Sequence, residues 1–455
     1  MFRKAAVLFI TSALTACTLA PHYERPAAPV AAQWPVETPT SGPAGQIGWR
    51  DLFLDPALQQ TIQLALDNNR NLKIAALDVE KARAQYGIQR ASLLPSLDGA
   101  VSGTKAHSDA DGNSQSYSAS LGLSWEVDLF GRIRSLDKAA LESFFATREN
   151  RNAAEVSLIA ETAEAWLTLA ADRDDLALTQ QTYQSRKDAY DIAVGQSNLG
   201  AISDLDMAQA KTEMEQARAD AAAAATAVDQ DKAALTLLAG VPSLPDNLLP
   251  DGLHDGQVAA SLPVGLPSDV LLQRPDILAA EHGLKAANAD IGAARAAFFP
   301  SISLTGTAGT ASSDLGHLFD AGNGSWSYGA KIDVPIFEGG ANLNNLRSAK
   351  VGRDIAVAQY EGAIQQAFSD VSQALAVQAR IDERLDAQGN ATDAATTAAK
   401  LSQARYDAGA DSYLTLLDAQ RTLYGSQQAL IGLKALKAAN LTALYRAVGN
   451  DASLQ

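Results

Sequence analysis

Side chains able to do covalent or acid–base chemistry are few and scattered in this 455-residue chain. Its five histidines, His22, His107, His254, His282 and His317, form no His-x-x-x-His pair that would offer two imidazoles on one helix face to a metal. No Gly-x-Ser-x-Gly elbow presents a serine as nucleophile. The glycine-rich run GTAGTAS, Gly306 to Ser312, lacks the lysine of a phosphate-binding loop. Each feature reads as structural, so an enzyme reading has little to stand on. Cys17 is the single cysteine, which rules out internal disulfides, cysteine zinc sites and dithiol redox chemistry. What is left is a thiol near the N-terminus, carboxylates along two alternating segments, and a frame Gly-Ala-x-Ser-x-Leu that occurs at Gly200 and again at Gly409.

The first residues read as an export signal. Arg3 and Lys4 precede an apolar run, Ala5 to Leu14, that is too short to cross a bilayer as a helix. The run ends in Leu14, Thr15, Ala16, Cys17, which resembles the lipobox of bacterial lipoproteins. That resemblance implies a signal peptide of residues 1–16 and a covalent lipid on Cys17; the alternative is an ordinary signal peptide that contains a cysteine. Residue 18 is Thr where an Asp would imply retention at the inner membrane, so the outer membrane is implied. Residues 17–48 are rich in Pro and Ala and favour an extended tether over a packed element. The 36 basic against 52 acidic residues, a net charge of -16, have the wrong sign for a nucleic-acid partner.

The two frames belong to a long internal repeat. RASLLPSL (Arg90 to Leu97) meets RAAFFPSI (Arg295 to Ile302) at an offset of 205, Val127 and Phe130 meet Val334 and Phe337 at 207, and the glycine frames meet at 209. The spacing predicts two tandem copies, 49–240 and 276–448, joined by a Pro/Gly-rich linker 241–275 and followed by a tail 449–455. Each copy reads as a short amphipathic helix, a two-strand passage, a very long helix, a tip and a medium helix. Roughly, these are 70–92, 96–129, 137–198, 199–204 and 205–239, then 276–298, 301–337, 342–407, 408–412 and 413–448. In the last helix Leu417, Tyr424, Ile431, Ala438 and Tyr445 form one heptad row, beside Leu416, Leu423, Leu430, Lys437 and Leu444. In the long helix Val357, Tyr360, Ile364, Phe368, Val371 and Leu375 step by threes and fours. Such rows pack helices side by side, as in a coiled coil or a soluble bundle. At ~1.5 Å per residue the long helices reach about 90 to 100 Å, beyond a compact domain.

The strand passages alternate strictly. Tyr117 to Leu129 places Tyr117, Ala119, Leu121, Leu123, Trp125, Val127 and Leu129 on one face, and Ser118, Ser120, Gly122, Ser124, Glu126 and Asp128 on the other. Ser325 to Phe337 sets Trp326, Tyr328, Ala330, Ile332, Val334 and Ile336 against Ser325, Ser327, Gly329, Lys331, Asp333 and Pro335. The weaker partners are Ser96 to Thr104 and Ser301 to Gly309. This pattern predicts transmembrane strands with a lipid face and a wet face, against a half-buried soluble hairpin as alternative. A sheet in lipid cannot leave open edges, and the smallest barrels use about eight strands, so four per chain require several chains. A dimer gives about eight strands and a trimer about twelve, and a hollow barrel favours three. The wet face carries Asp98, Glu126, Asp128 and Asp333 against Lys331, which predicts a mostly acidic lumen.

Taken together, the lipobox, the tandem repeat, LPVGLPSDVLLQRPDILAAE (Leu262 to Glu281), RAAFFPSISLTG and GADSYLTLLDAQRTLY resemble the TolC-like outer membrane factors, in the lipoprotein branch similar to OprM and NodT. The resemblance implies a mainly α chain with a transmembrane β-barrel: a homotrimer with a twelve-strand barrel in the outer membrane of a Gram-negative bacterium and a periplasmic α-helical tunnel. It implies a passive exit duct without cofactor, working with an inner-membrane efflux transporter and a periplasmic membrane-fusion adaptor. The periplasmic gate falls on Leu414 and Asp418, which share a helix face. A second gate aspartate found in some members is Thr415 here, and a basic lock residue is Asp411. The remaining lock candidates are Tyr406 on one tip and Ser203 and Asp204 on the other. The adaptor-contact tips match Leu199, Gly200 and Ala201, and Ala408, Gly409 and Ala410, where a glycine also simply ends a helix. Export of proteins or peptides, and a non-conducting lipoprotein scaffold, are the competing functions.

Overall fold

A computed structural model of the chain describes residues 18–35, 48–109, 112–259 and 271–449. Cys17 and the signal segment lie outside the described residues, as do the first part of the 262–281 motif and the tail beyond Gly449. The elements run α1 (Trp49–Leu52), α2 (Pro56–Asn68), α3 (Arg70–Ala91), β1 (Ser96–Ser108), β2 (Gly112–Val127), α4 (Arg132–Asn198), α5 (Asp204–Ala239), α6 (Pro275–Ala296), β3 (Ser301–Ser312), β4 (Gly324–Asp333), α7 (Ala341–Asp407) and α8 (Tyr413–Val448). Among the described residues no helix is both long and apolar enough to cross a membrane.

α4 and α7 each have 67 residues, and α5 and α8 each have 36, so the two copies repeat element by element. At ~1.5 Å per residue the long helices measure about 100 Å. The expected row on α7 is the buried one: Tyr360, Ile364 and Val371 are fully covered and Leu375 nearly so. On α8 the two heptad rows are buried at both ends, at Leu416, Leu417, Leu444 and Tyr445, and only half-buried between. A middle stretch left half-open in one chain suits helices that take their remaining neighbours from other chains.

The chain divides into two compact units. The first comprises 77–149, 278–363 and the described residues before 28. It holds the single sheet, an antiparallel meander in the order β1-β2-β3-β4. Tyr117 pairs with Gly103 and with Ser312, Leu123 with Leu97 and Gly306, and Ile302 with Ile332. Beneath the sheet Phe130 stacks on Phe299 at 4.8 Å, and Ala139 of α4 packs with Ala286 and Ala289 of α6. The second unit comprises 28–76, 150–277 and the residues from 364 onward. Its core gathers Phe53 edge-on to Tyr445, the fully buried Leu58, Ile62 and Leu235, and Trp166, whose Nε1 donates to the Leu248 carbonyl at 2.8 Å.

Three expectations need correction. Sequence reading started the first copy's helices near residue 70, yet α2 precedes it. Its start signal was present: Asp55 accepts from Ala57 and Leu58 N–H at 2.7 and 3.1 Å, and Pro56 stands in the first turn, where a missing N–H costs nothing. The strand passages also stop short. β4 ends at Asp333 because Pro335 has no N–H to donate, and β2 ends at Val127 because Asp128 turns to cap α4, accepting from Ile133 N–H at 3.0 Å and Arg134 N–H at 2.9 Å. Residues 18–35 have no helix or strand, as an extended tether requires, but they are not a free leash: Arg25 pairs with Glu281 at 2.8 Å, and Trp34 stacks on Phe368 at 5.0 Å.

The second unit also contains a carboxyl pair between α4 and α5. Burial, a hydrogen bond with the Asp231 side chain and the Asp231 charge push the Asp172 carboxyl up to about 6, and Asp231 Oδ2 is buried without a partner. A carboxyl raised above its unfolded value of ~3.9 favours folding below that value and loses its contribution as pH rises through the folded pKa. Asp172→Asn is therefore expected to raise the thermal midpoint by a few degrees at mildly alkaline pH, with the gain shrinking toward pH ~5. Thermal melts of both proteins at the two pH values check this, and a gain independent of pH would be contrary to it.

Candidate functional site

The repeated glycine frame builds two tips of one design. α4 ends at Gly200, whose φ of 69° is left-handed, and Ala201 N–H returns to the Gln196 carbonyl at 2.9 Å. α7 ends at Gly409, φ 70°, and Ala410 N–H returns to Arg405 at 2.8 Å. The next serine starts the following helix: Ser203 Oγ accepts from Asp206 N–H at 3.2 Å and Ser412 Oγ from Thr415 N–H at 3.3 Å. Glycine supplies the left-handed turn without a Cβ penalty and serine satisfies an orphan donor, so the frame is a helix stop followed by a helix start. Leu199 is 85% exposed, and Gly200, Ala201, Ala408, Gly409 and Ala410 are all exposed, so both tips leave small residues and one leucine uncovered within the chain.

Leu414 and Asp418 lie one turn apart on the same exposed face of α8, whereas Leu416 and Leu417 between them are buried. An apolar side chain and a carboxylate thus stand free in the single chain, as an axial ring from several chains requires. Their neighbours are engaged. Asp411 receives Arg405 Nε at 2.7 Å and Nη2 at 2.8 Å, a two-pronged pair within its own tip that holds its carboxyl below the usual range.

Among the described residues Tyr406 makes no hydrogen bond to Ser203 or Asp204. Its ring lies 5.8 Å from that of Tyr413, and Ser203 is committed to a capping box, its Oγ donating to Asp206 Oδ2 at 2.8 Å. The two hairpins are held by other residues. Arg421 of α8 pairs with Glu213 of α5, and Arg186 of α4 donates to Gln420, whose amide reaches Gln403 of α7 at 3.4 Å. Arg186 is buried, and that burial lowers its pKa, partly countered by Glu213. Sequence reading missed this network because its members lie on different helices. The one signal was position: Gln420 and Arg421 come two and three residues after Asp418.

In the sheet the expected faces emerge from the register. Leu97, Leu121, Leu123, Trp125, Trp326, Tyr328 and Ile332 occupy one face and are exposed, Tyr328 by 82%, with the Trp326 and Tyr328 rings stacked at 5.8 Å. From Tyr117 to Val127 that face runs ~34 Å along the strand, or roughly 25 Å tall at a barrel tilt near 40°, the height of an outer membrane apolar band. The opposite face is a hydroxyl ladder, with Ser102 bonded to Ser118 and Thr307 to Ser327, each at 2.8 Å. Its charge is less acidic than expected. Glu126 is held by Arg132 at 2.7 Å, Asp128 by Arg134 at 3.1 Å, and Lys331 pairs with Asp333 at 2.8 Å. Of the five positions Asp98 alone shows no ion pair among the described residues.

β1 and β4 are the outer strands of the sheet, and each has an edge unpaired within the chain. A profile of the outer membrane efflux protein family matches residues 61–241 and 266–450, two segments that begin 205 residues apart and end 209 apart, the same drift as the internal repeat. The toluene efflux pump outer membrane protein TtgC of Pseudomonas putida is 44% identical over 96% of this chain and 93% of its own length. OprJ of Pseudomonas aeruginosa is 41% identical over 98% and 95%. In the solved structures, the open-state MtrE outer membrane channel of Neisseria gonorrhoeae superposes with a TM-score of 0.87 at 42% identity, covering 96% of this chain and 98% of that one. With its tandem copies, its exposed apolar sheet face and its paired helical tips, this chain belongs to the outer membrane efflux protein family.

Proposed function

We propose that three copies form a passive exit duct across the outer membrane, receiving small toxic compounds from an inner-membrane transporter through a periplasmic adaptor. The observation that carries this reading is the four-strand sheet with an exposed apolar face and two open edges. The apolar face suits lipid, but the two edges are not stable there unless neighbouring copies pair β4 with β1 and close a barrel of about twelve strands. The wet face then becomes a lumen lined by Ser102, Ser118, Thr307 and Ser327, to which Asp98 adds charge. The duct catalyses nothing, so its work is selective opening. Names of relatives as toluene and antibiotic efflux pump proteins support apolar and drug-like cargo.

At the helical tips Leu414 and Asp418 form an apolar ring and a carboxylate ring that close the tunnel, and the Leu199–Ala201 and Ala408–Ala410 segments meet the adaptor. The lock is carried by Arg421 with Glu213 and by Arg186 with Gln420, in place of Tyr406 with Ser203 and Asp204. Cys17, freed by removal of residues 1–16, carries the lipid that anchors the chain to the outer membrane.

In planar bilayers the purified mature protein is expected to give a low, cation-preferring conductance; a protein giving no current under any condition would sink the duct. Because the lumen carboxylates are largely paired, cation preference is assigned to Asp418. Asp418→Ala is expected to raise conductance several-fold and weaken that preference, while Glu126→Gln leaves the preference unchanged; an unaltered Asp418→Ala current removes this residue from the gate. Arg421→Ala is expected to raise conductance in the same direction, and the double exchange Glu213→Arg with Arg421→Glu to restore the low value. Equal currents from all three proteins would show that this tie does not hold the gate.

A further inference from the structure

Beyond Ala171 the buried residues of α4 are Thr179, Arg186 and Ala193, each seven positions from the next. A heptad row is where helices packed side by side place apolar knobs, so Arg186 puts a guanidinium into the seam itself. The residue is 6% exposed. Its Nη1 donates to Gln420 of α8, a neutral acceptor, whereas its Nε and Nη2 make no hydrogen bond among the described residues. Glu213, the carboxylate that most supports its charge, is already paired with Arg421. Burying a cation without an anion of its own is costly, and an arginine cannot shed its proton to escape that cost. A buried polar residue that only sets helix register needs its donors satisfied within the seam, and this one has two nitrogens to spare.

Arg186 lines a cavity of about 400 Å³ between α4, α7 and α8, wholly within the second unit. The room comes from small side chains: Ser185, Thr396 and Ala399 stand on its wall, where longer ones would fill the seam. Lys400, exposed and without an ion pair among the described residues, adds a second cation. No carboxylate is among the described residues that line the cavity, although the chain carries a net charge of -16. Leu178 and Leu423 supply an apolar wall. The volume falls within the ~300–1,000 Å³ of pockets that hold small organic molecules.

We propose that this cavity binds a small organic carboxylate, whose oxygens take two bonds from Nε and Nη2 of Arg186 while its apolar body lies against Leu178 and Leu423. The planar fork of a guanidinium matches a carboxylate, and the pair gains strength where water is excluded. The exposed Lys400 adds a second attraction for the anion. Gln420 keeps its bond to Nη1, so the ligand adds to the tie between α4 and α8 and does not replace it. The site stands apart from the duct reading, because its occupancy is measured without a current or a partner protein.

The test is calorimetric titration of the mature protein, extracted from outer membranes in a non-ionic detergent and held at low salt. The probes are benzoate, its neutral amide benzamide, and inorganic phosphate. Benzoate is expected to bind saturably at one site per chain, and benzamide to bind about ten-fold or more weakly. Arg186→Gln is expected to weaken benzoate by a similar factor, and Lys400→Gln by a few-fold. Lys400 is exposed, so the second variant reports on the site even where the first disturbs the seam. Equal binding of benzoate and benzamide overturns recognition of the carboxylate, and binding of phosphate without benzoate overturns the organic ligand. Benzoate binding that neither variant weakens lies elsewhere and overturns the site, as does the absence of any binding.

Discussion

The structure depends on one constraint: a sheet in hydrocarbon must satisfy every backbone donor and acceptor within protein. β1 and β4 each leave one edge unpaired, and the face they share with β2 and β3 is apolar and open. Lipid covers that face, whereas the edges are closed by further copies of the same chain, because the edge of β4 can continue into β1 of a neighbour. Once the copy number is set at the membrane, it is imposed on every helix continuous with a strand. α4 follows β2 after four residues, and α7 follows β4 after seven, so the helices inherit the symmetry of the barrel. The half-buried middle rows of α8 fit that inheritance, as does the exposed pair Leu414 and Asp418.

Charge is managed where the chain changes structure. Where β2 gives way to α4, the last two carboxylates of the strand passage meet the first two arginines of the helix, Glu126 with Arg132 and Asp128 with Arg134. An acidic strand end therefore becomes a neutral junction with a capped helix start. At the C-terminus of α7 Arg405 and Asp411 do the same within one tip, and Arg421 and Glu213 do it between hairpins. Asp418 stands beside this network without an ion pair of its own among the described residues. Its charge is felt by Arg421, whose protonated form it favours after the stronger effect of Glu213.

Much of this was legible in the residues. The offsets of 205 to 209 between copies reappear as two helices of 67 residues and two of 36. The strict alternation from Tyr117 to Val127 fixed both faces of the sheet, because a period of two has only one registry with an apolar side. The frame Gly-Ala-x-Ser could be read as two caps because its chemistry is local. Long-range features were not legible. Nothing near Glu281 announces that Arg25 and Tyr23 will bond to it, and nothing near Glu213 announces Arg421. A Pro- and Ala-rich segment looks like a linker when its polar backbone has no visible partner, although four of its residues, Leu19, Pro21, Tyr23 and Arg25, carry the atoms that α6 binds. The same limit applies to Glu126 and Asp128, which are counted along the strand while their partners Arg132 and Arg134 sit on the helix that follows.

The central claim is that one chain is a third of the functional object. Native mass spectrometry of the mature protein, extracted from outer membranes in mild detergent, tests it most directly. The account predicts a dominant species of three chain masses, each chain carrying its lipid. A dominant species of one or two chain masses, under conditions where the extracted protein still conducts, would contradict it.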